Sequence, residues 1–310
     1  MKNGTIPLPK TYSLDLTLNS GQVFRWMGPD PAGIFQGVAG GAYWRLKQDG
    51  CQLEWSCSLD RIEGQAHEEW LFRYLRLDDD LGKWAGEFGS NPLMHKSLKA
   101  LRGMGLIRQD PFECAVSYLY AQGLSVSVIQ RAIGGLCTRY GEPISGVPGD
   151  APASLHHAFP SAETLAGLRP AALRRFANNN LARAKHIVRL ARDVEAGRLD
   201  WERLKAMSCD EARADLMRRE GIGPKIADCI LLFSLDHLSA FPLDRWVYRA
   251  MRDHFGFKGK GAKRDAPTRV QYREMTDFAR REFGPRCGVA SEYLFLYLRR
   301  GGDDGLKVSV

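Results

Sequence analysis

The sequence lacks the patterns typical of disulfide-bonded and metal-binding proteins. Its seven cysteines are an odd number, scattered along the chain, and no two form a CxxC pair. The closest pair, Cys51 and Cys57, matches no common ligand spacing. This usage argues for reduced thiols and against a disulfide framework, a zinc site or an iron–sulfur centre. We therefore expect a protein that binds no metal and needs no cofactor.

Long apolar segments are missing as well. No apolar run approaches the ~20 residues that a membrane-spanning helix needs, and the opening MKNGTIPLPKTYSLDL contains no apolar core of an export signal. Internal repeats and low-complexity tracts are also absent. The 310 residues, 44% hydrophobic and 26% charged, have the composition of an ordinary globular protein with two or three subdomains. We expect an intracellular protein that does not contact membranes.

The positive charge is concentrated in one part of the chain. Residues 1–110 carry 13 basic and 13 acidic side chains, so residues 111–310 hold the whole excess of +8. A basic C-terminal part suggests a polyanionic partner. The alternative is that solvated helix faces happen to be basic.

The N-terminal part has the short alternating segments of an antiparallel sheet. Gly, Pro and Asp clusters separate these segments, and from Glu68 the pattern becomes helical, with the acidic run 78–80 expected to cap the next helix. The predicted strands cover residues 13–18, 23–26, 34–38, 42–46 and 52–55.

The remainder reads as almost entirely helical. Asp110 is expected to be the N-cap and Pro111 the first residue of the first helix in this part. The loop 256–268 carries four basic residues and three glycines, so it is either a contact to a phosphate backbone or a surface loop without a role. We thus predict an α+β chain with a β-sheet domain at 1–108 and an all-α domain at 109–310. The predicted helices cover 112–122, 125–140, 151–158, 161–168, 170–176, 180–196, 199–206, 210–219, 225–236, 243–255, 271–283 and 287–299.

One stretch of the helical part combines a tight turn with a reactive side chain. Gly221 and Gly223 permit a chain reversal, and Pro224 suits the first position of a helix. The free N–H groups of such a hairpin can hold a phosphate. Lys225 follows at once, where the positive end of the helix dipole disfavours a second cation and favours the free, nucleophilic amine. A solvent-exposed lysine is the simpler interpretation of Lys225 taken alone.

An acid follows in a rigid setting. Asp244 comes directly after the turn Phe241-Pro242-Leu243 and begins a helix over 245–252. Its structural interpretation is an N-cap. A carboxylate fixed in this way can also stabilise positive charge or transfer protons.

These residues resemble a family. The run G-I-G-P-K-I-A-D-C, followed 19 residues after Lys225 by Asp244 in a P-L-D context, is similar to the helix-hairpin-helix DNA glycosylases that share a Gly/Pro…Asp loop. Within them it looks most like the 8-oxoguanine DNA glycosylase/AP lyases. The segments 20–26, 107–114 and 283–285 resemble that family in the same order, so the similarity covers nearly the whole chain. It implies a two-lobed all-α helix-hairpin-helix core after the sheet.

The resemblance also implies roles at the damaged base. Lys225 would attack C1′ and form a Schiff base, and Asp244 would support the sugar cation and the proton transfers. The carbonyl of Gly21 would accept the hydrogen bond from N7–H, which guanine lacks. Cys229, one turn after Lys225, and Phe295 would sandwich the flipped purine.

Further residues would bind double-stranded damaged DNA, with the protein acting as a monomer. Gln122 would fill the gap left by the flipped base, although a turn glutamine without a role is the alternative. Arg183 would contact the opposite base. Gly221, Gly223 and Arg245 would contact the backbone.

The sequence departs from the family at several positions. Ser291 stands where these enzymes usually have a glutamine that reads the Watson–Crick edge of the base, and the shorter serine would need water or Glu292 to help. Val128 or a neighbour replaces an arginine that reads the opposite cytosine in the animal enzymes, and Trp246 replaces a histidine. Two alternatives therefore stay open, namely a glycosylase for another oxidised or alkylated base, and a non-catalytic helix-hairpin-helix module that only grips DNA.

Overall fold

An antiparallel five-stranded sheet forms the N-terminal part of the computed structural model, which describes residues 1–88, 91–257 and 266–302. The strand order across the sheet is β1-β5-β4-β3-β2. A Gly40-Gly41 turn, with φ of 58° and 70°, joins β3 to β4, as a two-residue hairpin requires. The strands are β1 (Lys2–Pro7), β2 (Trp26–Met27), β3 (Ile34–Ala39), β4 (Ala42–Asp49) and β5 (Gln52–Cys57).

The strands predicted at 34–38, 42–46 and 52–55 are confirmed as β3, β4 and β5. The strand predicted at 13–18 is wrong, because Leu14–Leu18 forms helix α1, capped by the Ser13 side chain on the N–H of Leu16. The prediction for 23–26 is wrong except at its last residue, which begins β2. Strand β1 was not predicted, since a sheet edge buries only Ile6 of its six residues.

Helices make up most of the remaining described chain. Asp110 caps the helix Pro111–Tyr120, Pro111 is its first residue, and Asp80 caps the helix Leu81–Glu87, all as predicted. After α1 the helices are α2 (His67–Tyr74), α3 (Leu81–Glu87), α4 (Pro92–Ala100), α5 (Pro111–Tyr120), α6 (Val126–Tyr140), α7 (Ala162–Ala166), α8 (Pro170–Leu173), α9 (Leu181–Glu195), α10 (Trp201–Ala206), α11 (Cys209–Leu216), α12 (Pro224–Ser234), α13 (Arg245–His254), α14 (Arg269–Phe283) and α15 (Cys287–Arg299).

Two predictions about the helical part are not confirmed. The helix predicted at 151–158 is wrong, because only the short 3-10 turn Ala153–Leu155 forms there. Most of the basic loop predicted at 256–268 lies outside the described residues. In the parts of the chain that the structure covers, no helix combines the length and the apolar character needed to cross a bilayer.

One apolar core runs from the sheet into the helices. The chain passes from one part to the other at Arg108, whose N–H bonds to the carbonyl of Tyr74, and Gln109, whose N–H bonds to the carbonyl of Phe233. Helix α15, near the C-terminus, packs on α4. The N-terminal part is thereby held against the helices that carry the candidate site, and the domain boundary at 108 remains a prediction.

Candidate active site

The hairpin between α11 and α12 has the backbone that its glycines predict. Gly221 has φ +86°, and a Cβ there would lie 2.3 Å from Nδ1 of His186 on α9, so only glycine fits. Gly223 is the N-cap of α12 and Pro224 its first residue. The side chain of Lys225 therefore leaves the chain within the first turn of α12, beside unpaired backbone N–H groups that suit an anion.

Lys225 is half-buried and lies over an aromatic ring. Its Nζ lies 5.1 Å from the ring centroid of Tyr118 on α5, within the range of a cation–π contact. The Tyr118 ring stacks on Phe233 at 5.6 Å between centroids, and its hydroxyl donates to the carbonyl of Gln22 at 3.2 Å. The amine is thus positioned by a ring that is itself fixed on both sides.

Asp244 performs its structural role and also faces the lysine. It is the N-cap of α13, and its Oδ1 accepts the N–H of Val247 at 2.8 Å. Burial raises the pKa of the Asp244 carboxyl, while the N–H of Val247 and the charge of Lys225 act in the opposite direction. Two helix N-termini thus place one amine and one carboxyl within electrostatic range of each other.

A buried thiol follows Lys225 on the same helix. Cys229 is 2% exposed, and burial raises the pKa of its thiol to about 12, against the opposing effect of Lys225. The sulfur is therefore present as a neutral, polarizable thiol of the kind that packs well against a flat ring.

Gly21 brings the N-terminal part to this helix cluster. It has φ +102°, and a Cβ there would lie 2.6 Å from Nη1 of Arg299, 3.5 Å from the ring of Phe295 and 3.6 Å from Val126. Nη1 of Arg299 donates to the carbonyl of Ser20 at 3.2 Å, and its guanidinium lies 5.7 Å from the Phe295 ring centroid. Gly21 and the half-buried Phe295 are therefore neighbours, as the predicted base pocket requires.

Ser291 lies in a different setting from the one predicted. It is 2% exposed, and its hydroxyl donates to the carbonyl of Gly288 in its own helix at 2.6 Å. The donor of this hydroxyl is used within the helix, so the role predicted for Ser291 remains a prediction without a supporting contact.

The predicted DNA contacts cluster beside the hairpin. The amide of Gln122, exposed at the end of α5, donates to the carbonyl of Gly221 at 3.4 Å. Arg183 on α9 donates from Nη2 to the carbonyl of Gln122 at 2.6 Å. Arg245 is exposed at the start of α13, with its guanidinium 5.8 Å from the Trp246 ring centroid. The structure therefore brings Gln122, Arg183 and Gly221 together.

Asp228 is a supporting residue that the sequence gave no reason to single out. It is fully buried and accepts from Nε of Arg213 and from the hydroxyl of Tyr272, both at 2.6 Å. The Tyr272 hydroxyl also accepts the N–H of Leu243, the residue before Asp244. This network fixes α12 with its lysine relative to the loop that carries Asp244.

Comparison with known proteins places this site in a family. Residues 5–115 match the model of the 8-oxoguanine DNA glycosylase N-terminal domain. A probable N-glycosylase/DNA lyase of Methanothermobacter thermautotrophicus is 32% identical over 225 residues, covering 66% of this chain and 67% of that protein. The chain belongs to the 8-oxoguanine DNA glycosylase/lyase family.

Two further glycosylase/lyases are similar to this chain over most of its length. The N-glycosylase/DNA lyase OGG1 of Arabidopsis thaliana is 27% identical over 299 residues, which cover 94% of this chain and 79% of that one. The 8-oxoguanine glycosylase/lyase of Clostridium acetobutylicum, solved with double-stranded DNA containing cytosine opposite 8-oxoG, aligns with a TM-score of 0.79 at 26% identity and covers 94% of this chain and 92% of that chain. The family and the α+β fold predicted from the motifs are confirmed.

The site of this glycosylase/lyase contains one polar residue to which the sequence assigned only a minor part. Glu292 on α15 is 5% exposed, and burial raises the pKa of its carboxyl to about 8. An acid within the otherwise apolar segment CGVASEYLFLYL is the signal that identifies it. Within the described residues there is no group of three or more His, Cys, Asp or Glu side chains placed to hold a metal ion.

Proposed function

We propose that this chain removes 8-oxoguanine from double-stranded DNA and then cleaves the strand through a Schiff base on Lys225. The observation that carries the proposal is the position of Lys225 and Asp244 at the N-termini of two helices, within electrostatic range of each other. The protein acts on DNA inside the cell and without a cofactor. It acts as a monomer, since a single chain supplies both Lys225 and Asp244.

The glycosylase step joins the lysine to the sugar. The Nζ amine of Lys225 attacks C1′ of the damaged nucleotide, and the bond from C1′ to N9 breaks with its electron pair leaving on the base. Positive charge develops on the sugar, and the Asp244 carboxylate stabilises it. The amine loses its two protons, one to the departing base and one to the ring oxygen O4′. The bond from C1′ to O4′ breaks as the imine between Lys225 and C1′ forms.

The lyase step uses the acidity that the imine creates. A proton is lost from C2′, and its electron pair forms a C1′–C2′ double bond as the C1′–N bond becomes single. This enamine then forms a double bond between C2′ and C3′ as the bond from C3′ to the phosphate oxygen breaks, which restores the imine between C1′ and Lys225. The phosphate leaves with the electron pair. Water then hydrolyses the imine and returns the free amine of Lys225.

The base is taken from the duplex and held between Cys229 and Phe295. Flipping is required because C1′ is out of reach within the stack. The carbonyl of Gly21 accepts the N7–H of 8-oxoguanine. Guanine has no hydrogen at N7, so it would leave this carbonyl buried and unpaired, which disfavours the undamaged base.

The hairpin and its neighbours hold the backbone. The N–H groups at Gly221 and Gly223 bind a phosphate, Arg245 contacts the strand, and Gln122 and Arg183 lie where the gap and the opposite base would be. Because these contacts neutralise phosphates, DNA affinity falls steeply with added salt. An affinity that does not respond to salt contradicts this arrangement.

Borohydride trapping on an 8-oxoguanine duplex tests the proposal. The unmodified chain forms a covalent adduct and Lys225→Gln forms none while still binding the duplex, because an amide cannot form an imine. Lys83→Gln, which changes an exposed lysine on α3, keeps the adduct. An undiminished adduct in Lys225→Gln rejects Lys225 as the nucleophile.

A glycosylase for another oxidised or alkylated base is the second candidate, and the engagement of Ser291 within its own helix favours it. Excision rates on a panel of damaged bases decide between the two. Removal of 8-oxoguanine no faster than guanine, with rapid removal of another base, would favour the second candidate. The non-catalytic alternative predicts no adduct at all.

A further inference from the structure

Glu292 is a buried carboxyl with one oxygen left free. At 5% exposure its Oε1 atom has no hydrogen-bond partner among the described residues. The hydroxyl of Ser20 lowers the pKa of the carboxyl, and the Ser20 oxygen accepts the N–H of Gln22 at 3.3 Å. A buried polar atom without a partner is costly, so native structures keep such atoms for a reason.

The free oxygen belongs to the face of α15 that lines the predicted pocket. Glu292, Phe295 and Arg299 are spaced three and four residues apart, so they form one stripe along the helix. Arg299 lies over Phe295 and bonds to the carbonyl of Ser20, next to Gly21. The carboxyl also interacts electrostatically with Lys225 and Asp244. Ser291, one residue earlier, turns its hydroxyl back to the helix instead.

We propose that Glu292 reads the flipped base, with Oε1 hydrogen-bonding the carbonyl oxygen at C6 of the purine. The inference rests on the function proposed above and adds a specificity residue to it. In this proposal the acid is neutral and its proton resides on Oε1, the oxygen without a protein partner among the described residues. Such an acid offers a donor where 8-oxoguanine has an acceptor, and it opposes the amino group that adenine carries at the same position.

The protonation state agrees with this role. Burial raises the pKa of the Glu292 carboxyl to about 8, so the neutral acid predominates at neutral pH. The groups that face it from neighbouring elements act in both directions. Lys225, Arg299 and the Ser20 hydroxyl lower its pKa, Asp244 raises it, and the buried Tyr118 and Cys229 lie within its electrostatic reach.

Binding to three duplexes tests the contact directly. One carries 8-oxoguanine and one 8-oxoadenine, each on a 2′-fluorinated sugar that resists cleavage, and the third carries an abasic-site analogue. Glu292→Leu lowers affinity for 8-oxoguanine about 10-fold, because a donor to a buried partner is lost, and leaves affinity for the other two within about twofold. Glu292→Gln, whose amide also donates, loses less. Glu274→Gln, at an exposed site on α14, changes none.

Several outcomes overturn the proposal. Equal losses by Glu292→Leu on the abasic duplex mean a structural role, and equal losses on 8-oxoadenine mean that the C6 carbonyl is not the target. No loss on any duplex means no contact. Where Glu292→Leu does not fold, the pH dependence of Glu292→Gln decides alone.

The pH arm compares the unmodified chain with Glu292→Gln on the 8-oxoguanine duplex between about pH 7 and about pH 9. The affinity of the unmodified chain falls as the Glu292 carboxyl ionises. Ionisation of the base lowers the affinity of both proteins equally, so the affinity of Glu292→Gln falls less steeply with pH. Parallel profiles overturn the proposal. Failure of the proposed function is seen separately, as absence of the borohydride adduct in the unmodified chain.

Discussion

Two buried carboxyls lie near the candidate nucleophile and differ in one respect. Asp228 on α12 is fully buried, and both its oxygens accept hydrogen bonds, from Arg213 and from Tyr272. Glu292 on α15 is buried nearly as deeply, yet its Oε1 is free within the part of the chain that the structure describes. Burial alone therefore does not distinguish a structural acid from a functional one.

The difference lies in the partners. An ion pair with every oxygen satisfied ties elements together, and removing one member strands the other charge. A carboxyl that keeps an oxygen free in the interior reduces stability, and that oxygen remains available to a ligand. We expect Asp228 to support the fold and Glu292 to support recognition, so the two should respond oppositely to substitution.

Replacing Asp228 should have the largest effect. Asp228→Ala leaves Nε of the mostly buried Arg213 guanidinium without its acceptor, while the guanidinium keeps its pair with Asp210, and we expect a loss of about 3 kcal/mol in the free energy of unfolding. Urea unfolding measures it. Asp277→Ala on α14, whose ion pairs span 3.9 Å at a partly exposed position, should change stability by less than about 1 kcal/mol. Equal effects of the two substitutions would end the structural assignment of Asp228.

Replacing Asp244 should affect catalysis and spare the fold. Asparagine is an equally good N-cap, so Asp244→Asn keeps α13 while removing the negative charge that stabilises the sugar. We expect single-turnover excision of 8-oxoguanine to slow by about 10²–10³-fold. Asp200→Asn, at another aspartate cap, should leave the rate unchanged. A similar slowing in both variants would mean that the cap, and not the charge, is what matters.

Replacing Glu292 should raise stability at alkaline pH. Its pKa is raised in the folded protein from 4.5 to about 8, so folding favours the protonated form. The stability contributed by that form is complete below about pH 4.5 and is lost as the pH rises to about 8. Above this window Glu292→Gln should be more stable than the unmodified chain by about 1–3 kcal/mol. Urea unfolding on both sides of the window measures the difference, and curves that stay parallel would contradict it.

The sequence predicts the hairpin better than the pocket, for a physical reason. Gly221, Gly223, Pro224 and Lys225 are contiguous, and each has a backbone requirement that can be read locally. The caps at Asp110 and Asp244 follow from the same local chemistry. The structure confirms the helix starts and caps predicted at these residues.

The pocket depends on contacts between distant segments. Gly21 meets Phe295 and Arg299 across most of the chain, and only the family resemblance paired Gly21 with Phe295. The satisfaction of Asp228 and the free oxygen of Glu292 depend on which side chains surround them, which periodicity does not encode. The same limit explains the strand predicted at 13–18, where an alternating pattern also fits a helix that buries Leu14, Thr17 and Leu18.

The smallest predicted effect comes from two glycine substitutions. They distinguish the strain of a backbone with positive φ from the effect of a methyl group placed beside Arg299. Alanine at Gly21 would adopt a φ of +102° and press on Arg299, which shares Ser20 with Glu292. Alanine at Gly33, with φ +80° and no atom within 4 Å of its Cβ, bears the backbone strain alone. Both variants should lose about 1 kcal/mol of stability.

Affinity for the 8-oxoguanine duplex should fall only in Gly21→Ala, because only there does the added methyl group disturb the carbonyl proposed to accept N7–H and the Arg299 and Phe295 side chains beside it. The network of Asp228, which has no contact with this turn among the described residues, should be unaffected, so the stability loss should not exceed that of Gly33→Ala by much. A comparable loss of affinity in Gly33→Ala would show that strain in the N-terminal part, and not the position of Gly21 beside α15, controls recognition of the base.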